Sequence, residues 1–211
     1  LDLITAEGAD ATSLFSGHVD SEHVAAIGHS AGGATALVAA ADERVDGYVS
    51  MASGIFRGRS TDDATTTTTT PVVMPAKPSF FIAGSTDAIA LAEEATRPAY
   101  AAAPSPSLLW LIEGAGHNAF TDFCTFGNGT GIIGIADVSW VGPLLDTVPT
   151  IRSLGEDGCK PPAVAVETTF PIIRHAVTAW LRQLFGIDTA PVGLGTDVAD
   201  QYATPVEIAT K

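Results

Sequence analysis

The stretch Val24-Ala25-Ala26-Ile27-Gly28-His29-Ser30-Ala31-Gly32-Gly33 decides the reading of this chain. Residues 24–28 are a short apolar run, and residues 34–42 (ATALVAAAD) have the Ala-rich composition of a good helix former. Strand, tight turn and helix form the setting in which Gly28-x-Ser30-x-Gly32 acts as a nucleophile elbow. Ser30 is expected at the bend, in a strained backbone conformation. Gly28 and Gly32 are expected to omit side chains that would collide across the turn. The bend is predicted to raise the Ser30 hydroxyl above the carboxyl edge of a sheet. It also turns the Ala31 N–H, at the helix start, toward any developing negative charge, as one oxyanion-hole donor. The plain alternative is an ordinary glycine-rich turn, which the strand-helix context argues against.

Outward from the elbow, residues 45–52, 79–84 and 107–113 read as further strands. Residues 91–103 have helical composition and stop at Pro104. Strands alternating with helices predict an α/β chain with a mostly parallel sheet and helices on both faces. From about 169 to 185, Phe170, Ile173, Val177, Trp180, Leu181, Leu184 and Phe185 recur at helical spacing. The expected organisation is one domain over 1–188, with excursions at 54–78 and 124–168, the second holding a short helix over 144–154, and a mobile tail over 189–211. The first excursion holds the run Thr65–Thr70. In the second, Ile132, Ile133, Ile135 and Trp140 suit a lid, an acyl pocket or plain core.

A serine needs a base to take its proton and a carboxylate to orient that base. In this strand-turn-helix setting the chain order is Ser, then Asp or Glu, then His. Asp87, in Gly84-Ser85-Thr86-Asp87, follows the strand at 79–84. His117, in Gly114-Ala115-Gly116-His117, follows the strand at 107–113. Both positions lie just past a strand's C-terminal end, where open α/β sheets bind ligands. Capping the following helix is the competing role for Asp87. Glu93, Glu94 and Asp122 are nearby carboxylates, none directly after a strand. His29 is expected to pack or hydrogen-bond locally, His18 and His23 to lie in a polar loop, and His175 to be structural. Asp122, Phe123 and Cys124 are expected to pin the loop after His117. No metal-ligand spacing and no dinucleotide fingerprint follow a strand, so neither a metal nor a cofactor is expected.

The 211 residues include 10 Lys and Arg against 24 Asp and Glu, a formal net charge of -14. This is no footprint for nucleic acid. The cysteines, Cys124 and Cys159, sit in polar, glycine-rich sequence. A single disulfide, and with it a secreted or extracellular protein, is the preferred reading; two buried free thiols are the other.

GHSAGGATAL (28–37), FIAGSTD (81–87) and IEGAGHNAFTDFC (112–124) resemble the α/β-hydrolase superfamily. The likeness is to acyl hydrolases related to dienelactone hydrolase and platelet-activating-factor acetylhydrolase, and to bacterial polyester-degrading cutinases and lipases. It spans roughly residues 1–185, and Ser30, Asp87 and His117 match the family's nucleophile, acid and base. A serine where true dienelactone hydrolases carry cysteine favours ordinary carboxylic esters, small, lipid or polyester. The resemblance implies an eight-stranded fold whose elbow follows the fifth strand. The chain is therefore expected to be its C-terminal part, with an upstream segment or separate chain supplying the first strands and the second oxyanion donor. Without these, the elbow strand is expected to be an exposed edge. The rival functions are acyl transfer, peptide hydrolysis or perhydrolysis on the same scaffold, and a non-catalytic binding protein.

Overall fold

The computed structural model describes residues 1–55 and 73–211. In chain order these form α1 (Asp2–Ala9), β1 (Ala25–His29), α2 (Ala31–Ala39), β2 (Gly47–Met51), β3 (Ser79–Gly84), α3 (Arg97–Ala102) and β4 (Ser107–Ile112). Then come α4 (Phe126–Gly129), α5 (Gly131–Asp137), α6 (Gly142–Leu145), α7 (Pro149–Glu156), α8 (Val166–Leu184) and β5 (Val206–Thr210). The strands lie side by side in the order β1-β2-β3-β4-β5. The first four are parallel and β5 is antiparallel to β4.

The central strands are apolar because both of their faces are covered. Every residue of β3 is buried, the pattern of a parallel strand under helices on two sides. Successive side chains point to opposite faces, and two cores result. On one face Val49, Phe80, Ile82, Trp110 and Ile112 pack against Ile172, Ala176, Ala179 and Trp180 of α8. On the other, Tyr48, Phe81 and Leu109 meet Leu37 and Ala40 from α2 and its cap, and Ala99 and Ala103 from α3 and its cap. Helices therefore lie on both faces, as the strand-helix alternation predicts. Among the described residues β1 pairs only with β2, and its Ile27 remains 41% exposed.

Two expectations need correction. The segment 189–211 is not a tail without structure: Thr196–Gln201 forms a 3-10 helix and Val206–Thr210 closes the sheet as β5. Five residues hold no strand by themselves; β4 supplies the ladder. Arg97 adds a bidentate bond to Glu207, at 2.8 and 2.6 Å, and Ile208 packs on the α8 face. The segment 124–168 holds more helix than the single short one expected over 144–154, carrying α4 to α7 and the start of α8, with α7 overlapping that expected helix. Of its four apolar candidates Ile133 is buried, whereas Ile132, Ile135 and Trp140 are exposed, Trp140 at 89%. In the 54–78 excursion, residues 56–72, including the threonine run, lie outside the described residues.

Cys124 and Cys159 form a disulfide across a separation of 35 residues. Closing a loop of that length stabilises the fold by about 3–4 kcal/mol on the chain-entropy model. It also ties the far end of α7 to the segment that follows His117. Among the described residues no helix is long and apolar enough to cross a membrane.

Candidate active site

Because β1 to β4 are parallel, their C-terminal ends share one edge of the sheet. Ser30 follows β1 directly, Asp87 lies just beyond β3, and His117 just beyond β4. Ser30 adopts φ 55 and ψ -121, a left-handed conformation costing about 1–3 kcal/mol for a residue with a side chain. The neighbouring ladder holds it there: the Ser30 N–H donates to Met51 O at 2.9 Å, and the Ala34 N–H to Ser30 O at 3.1 Å. Gly28 makes the bend possible, since a Cβ there would sit 2.0 Å from the Gly32 carbonyl oxygen. Gly32 does not have the role expected of it. A Cβ at Gly32 would meet open space, whereas one at Gly33 would strike Ser53 at 2.6 Å. The steric need is thus at Gly28, facing the turn, and at Gly33, where α2 crosses the end of β2.

The three side chains form one hydrogen-bonded line. Ser30 Oγ is 2.8 Å from His117 Nε2, and His117 Nδ1 is 2.9 Å from Asp87 Oδ2. With the proton on Nδ1, the imidazole donates to the carboxylate and leaves Nε2 to accept from the hydroxyl. Asp87 and His117 are 3% and 1% exposed, so the carboxylate must find its donors inside the protein. It finds three: besides His117, the N–H groups of Ile89 and Ala90 reach Oδ1 at 2.8 and 2.7 Å. Asp87 does not cap the following helix, whose N-cap is Leu91 without a side-chain bond; its Oδ1 instead holds the turn at 87–90, and its Oδ2 faces the histidine. The Ala31 N–H lies in the first turn of α2, where helical geometry offers no acceptor.

Comparison of the chain with protein-family models and with curated proteins finds no significant match.

The other candidates lie elsewhere. Glu93, Glu94 and Asp122 are exposed, and Glu93 pairs with Arg97. His23 pairs with Asp20 at the surface, and His18 is exposed. His175 bonds through Nδ1 to the Tyr202 hydroxyl beside Trp110, a packing role. Among the described residues no group of three or more His, Cys, Asp or Glu is placed to hold a metal ion. An apolar hollow lined by Leu37, Val38, Ile55 and Met74 opens beside α2, and Ser30, Asp87 and His117 do not line it.

His29 does more than fill the variable position of the elbow. Its Nε2–H donates to the His117 carbonyl at 2.8 Å, and its ring stacks on Phe120 at 5.9 Å. Burial pushes the His29 pKa down; the His117 carbonyl and the Asp87 charge oppose that, and His117 reinforces it. The unfolded chain therefore binds a proton at His29 more readily than the folded one. Stability is full above the ordinary histidine value near 6.5 and falls as pH drops below it. Urea unfolding of the wild type at about pH 7.5 and about pH 5.5 is expected to show this loss. His29→Gln is expected to shrink it, and an equal loss in both proteins would contradict the assignment.

Sequence reasoning missed Asp157. Its carboxylate accepts the His117 N–H on Oδ1 and the Ala88 N–H on Oδ2, the latter at 3.0 Å. Its only sequence signal was proximity to Cys159.

Proposed function

We propose that this chain is a serine hydrolase of the α/β-hydrolase fold that cleaves carboxylic esters through an acyl-enzyme on Ser30. The observation that carries the reading is the unbroken Ser30–His117–Asp87 line, with the serine on a strained strand-to-helix bend. A surface serine bonded to a histidine by chance has neither a buried carboxylate behind the ring nor a φ of 55.

His117 Nε2 takes the hydroxyl proton as Ser30 Oγ attacks the ester carbonyl carbon. The carbonyl oxygen gains the negative charge, and the Ala31 N–H donates to it. One such donor is worth about 3–4 kcal/mol of barrier. The tetrahedral intermediate collapses, the C–O bond to the alcohol breaks, and His117 returns the proton to the leaving oxygen. Water then repeats the sequence on the acyl-enzyme and releases the acid. Asp87 holds the imidazole in the Nδ1–H tautomer and stabilises the imidazolium formed in each half-reaction. The Cys124–Cys159 bridge supports a setting outside the reducing cytoplasm.

A fluorophosphonate probe tests this directly. One equivalent of label is expected on the wild-type protein, and peptide mass mapping is expected to place it on Ser30. A protein that stays unlabelled while folded would show that the line is not reactive. It would favour a non-catalytic binding protein.

A further inference from the structure

We infer that Asp157 is a positioning residue for the proposed hydrolysis: its carboxylate bridges the loop carrying the acid Asp87 to the loop carrying the base His117. The inference rests on the serine-hydrolase reading and goes beyond the three reacting groups.

Asp87 and His117 stand on loops after different strands, which are joined at their bases by the Thr86 N–H donating to Ala115 O at 3.0 Å and the Gly114 N–H donating to Ser85 Oγ at 2.8 Å, and further out by the 2.9 Å bond between the two side chains themselves. Asp157 adds a further link, placed at the backbone of His117 itself and of the residue after Asp87. One oxygen accepts the N–H of His117 itself; the other accepts the N–H of Ala88, the residue after the acid. Both bonds end on the main chain, so they set where the two loops stand rather than how the side chains titrate.

The surrounding structure keeps Asp157 in place. The Asp157 carbonyl accepts the N–H of Asn118 at 2.9 Å and its side-chain Nδ2 at 3.0 Å, and that same Nδ2 reaches Leu154 O at 2.7 Å. Gly116 and Gly158 let the two segments approach. A Cβ on Gly116 would lie 2.5 Å from Gly158 Cα and 2.6 Å from Asp157 Oδ1. The Gly158 φ of +84 adds a backbone demand that glycine meets without strain. Two residues after Asp157, the Cys159–Cys124 bridge anchors the segment to the chain just past His117. A loop stitched to the base loop by main-chain bonds, close glycine packing and a disulfide is a rigid mount. Asp157 extends that mount to the acid loop.

Asp157→Asn separates positioning from bulk. Asparagine keeps the shape and one acceptor oxygen but turns an amide N–H2 toward one of the two N–H donors. A displacement of about 1 Å at a reacting group costs on the order of 10²-fold in rate. The expected result with a p-nitrophenyl ester is a kcat about 10- to 100-fold lower, with KM within about twofold of wild type. The fluorophosphonate labelling rate is expected to fall by the same factor while circular dichroism remains that of the folded protein. The downfield proton resonance of the His117 Nδ1–H is expected to shift or broaden. Glu156→Gln, which removes the adjacent surface carboxylate, is expected to leave all of these unchanged.

A kcat for Asp157→Asn within about twofold of wild type, an unchanged Nδ1–H resonance, or a loss that merely follows the unfolded fraction overturns the inference. If the variant does not fold, amide exchange in the wild type decides. The Ala88 and His117 amides are expected to be protected, and exchange at the rate of an unbonded amide overturns the bridge. A wild type that is inert to both ester and fluorophosphonate removes the hydrolase reading and this inference with it. An active wild type with an equally active Asp157→Asn removes this inference alone.

Discussion

Replacing Ser30 with alanine is expected to lower the turnover of a p-nitrophenyl ester by about 10⁶-fold, the loss found when a nucleophile that acts as one unit with its base is removed. The substitution deletes only Oγ, whose hydrogen bond among the described residues is the one to His117. The bend itself is held by the backbone bonds of Ser30 to Met51 and Ala34 and by the absence of a side chain at Gly28, none of which the substitution touches. The variant should therefore fold, bind substrate with little change and fail in chemistry. Steady-state assay with active-site titration against the wild type measures the effect. Retention of more than about 1% of kcat would mean that the reacting nucleophile lies elsewhere.

Asp87→Asn is expected to lower kcat by about 10⁴-fold while leaving the fold and KM nearly unchanged. Asp87 uses its two oxygens differently, and the structure dictates how asparagine must sit. Oδ1 accepts two backbone N–H groups, from Ile89 and Ala90, at 2.8 and 2.7 Å. An asparagine has one oxygen, and those two donors claim it. Its N–H2 group then occupies the place of Oδ2, 2.9 Å from His117 Nδ1. Facing a donor, Nδ1 must become an acceptor, which moves the imidazole proton to Nε2. There it points at the Ser30 hydroxyl and can no longer receive that proton. The turn after β3 keeps both of these bonds, so a role for Asp87 in that turn alone predicts almost no loss of activity. Parallel measurement of kcat and of the thermal midpoint separates the two. A fall of less than about tenfold would leave Asp87 as a residue that only holds the turn after β3.

The elements closest to their sequence-based expectations are those whose signal is local. Residues 79–84 form β3 with the bounds that their apolar run predicts, and α8 follows the helical spacing of Ile173, Val177, Trp180 and Leu184. Ser30, Asp87 and His117 were legible because each sits at the end of a strand readable by itself. Segments whose structure is borrowed from a distant partner were not. Val206–Thr210 is a strand only because β4 presents an unpaired edge and Arg97 reaches Glu207. The excursion after His117 folds into short helices of weak individual pattern, fastened by a bridge to Cys159.

The chain's own residue order determined the kind of elements present, their succession, and the placing of a serine, an aspartate and a histidine after three parallel strands. It did so because apolar periodicity and glycine at a tight turn act over a few residues. Only the tertiary structure decided that Gly33 rather than Gly32 answers the steric demand of the elbow, that His29 holds the His117 carbonyl, and that Asp157 spans the acid and base loops. Those relations join positions 20 to about 90 residues apart. Contacts at such separations depend on how the sheet stacks its edges and its helices, which no local pattern encodes.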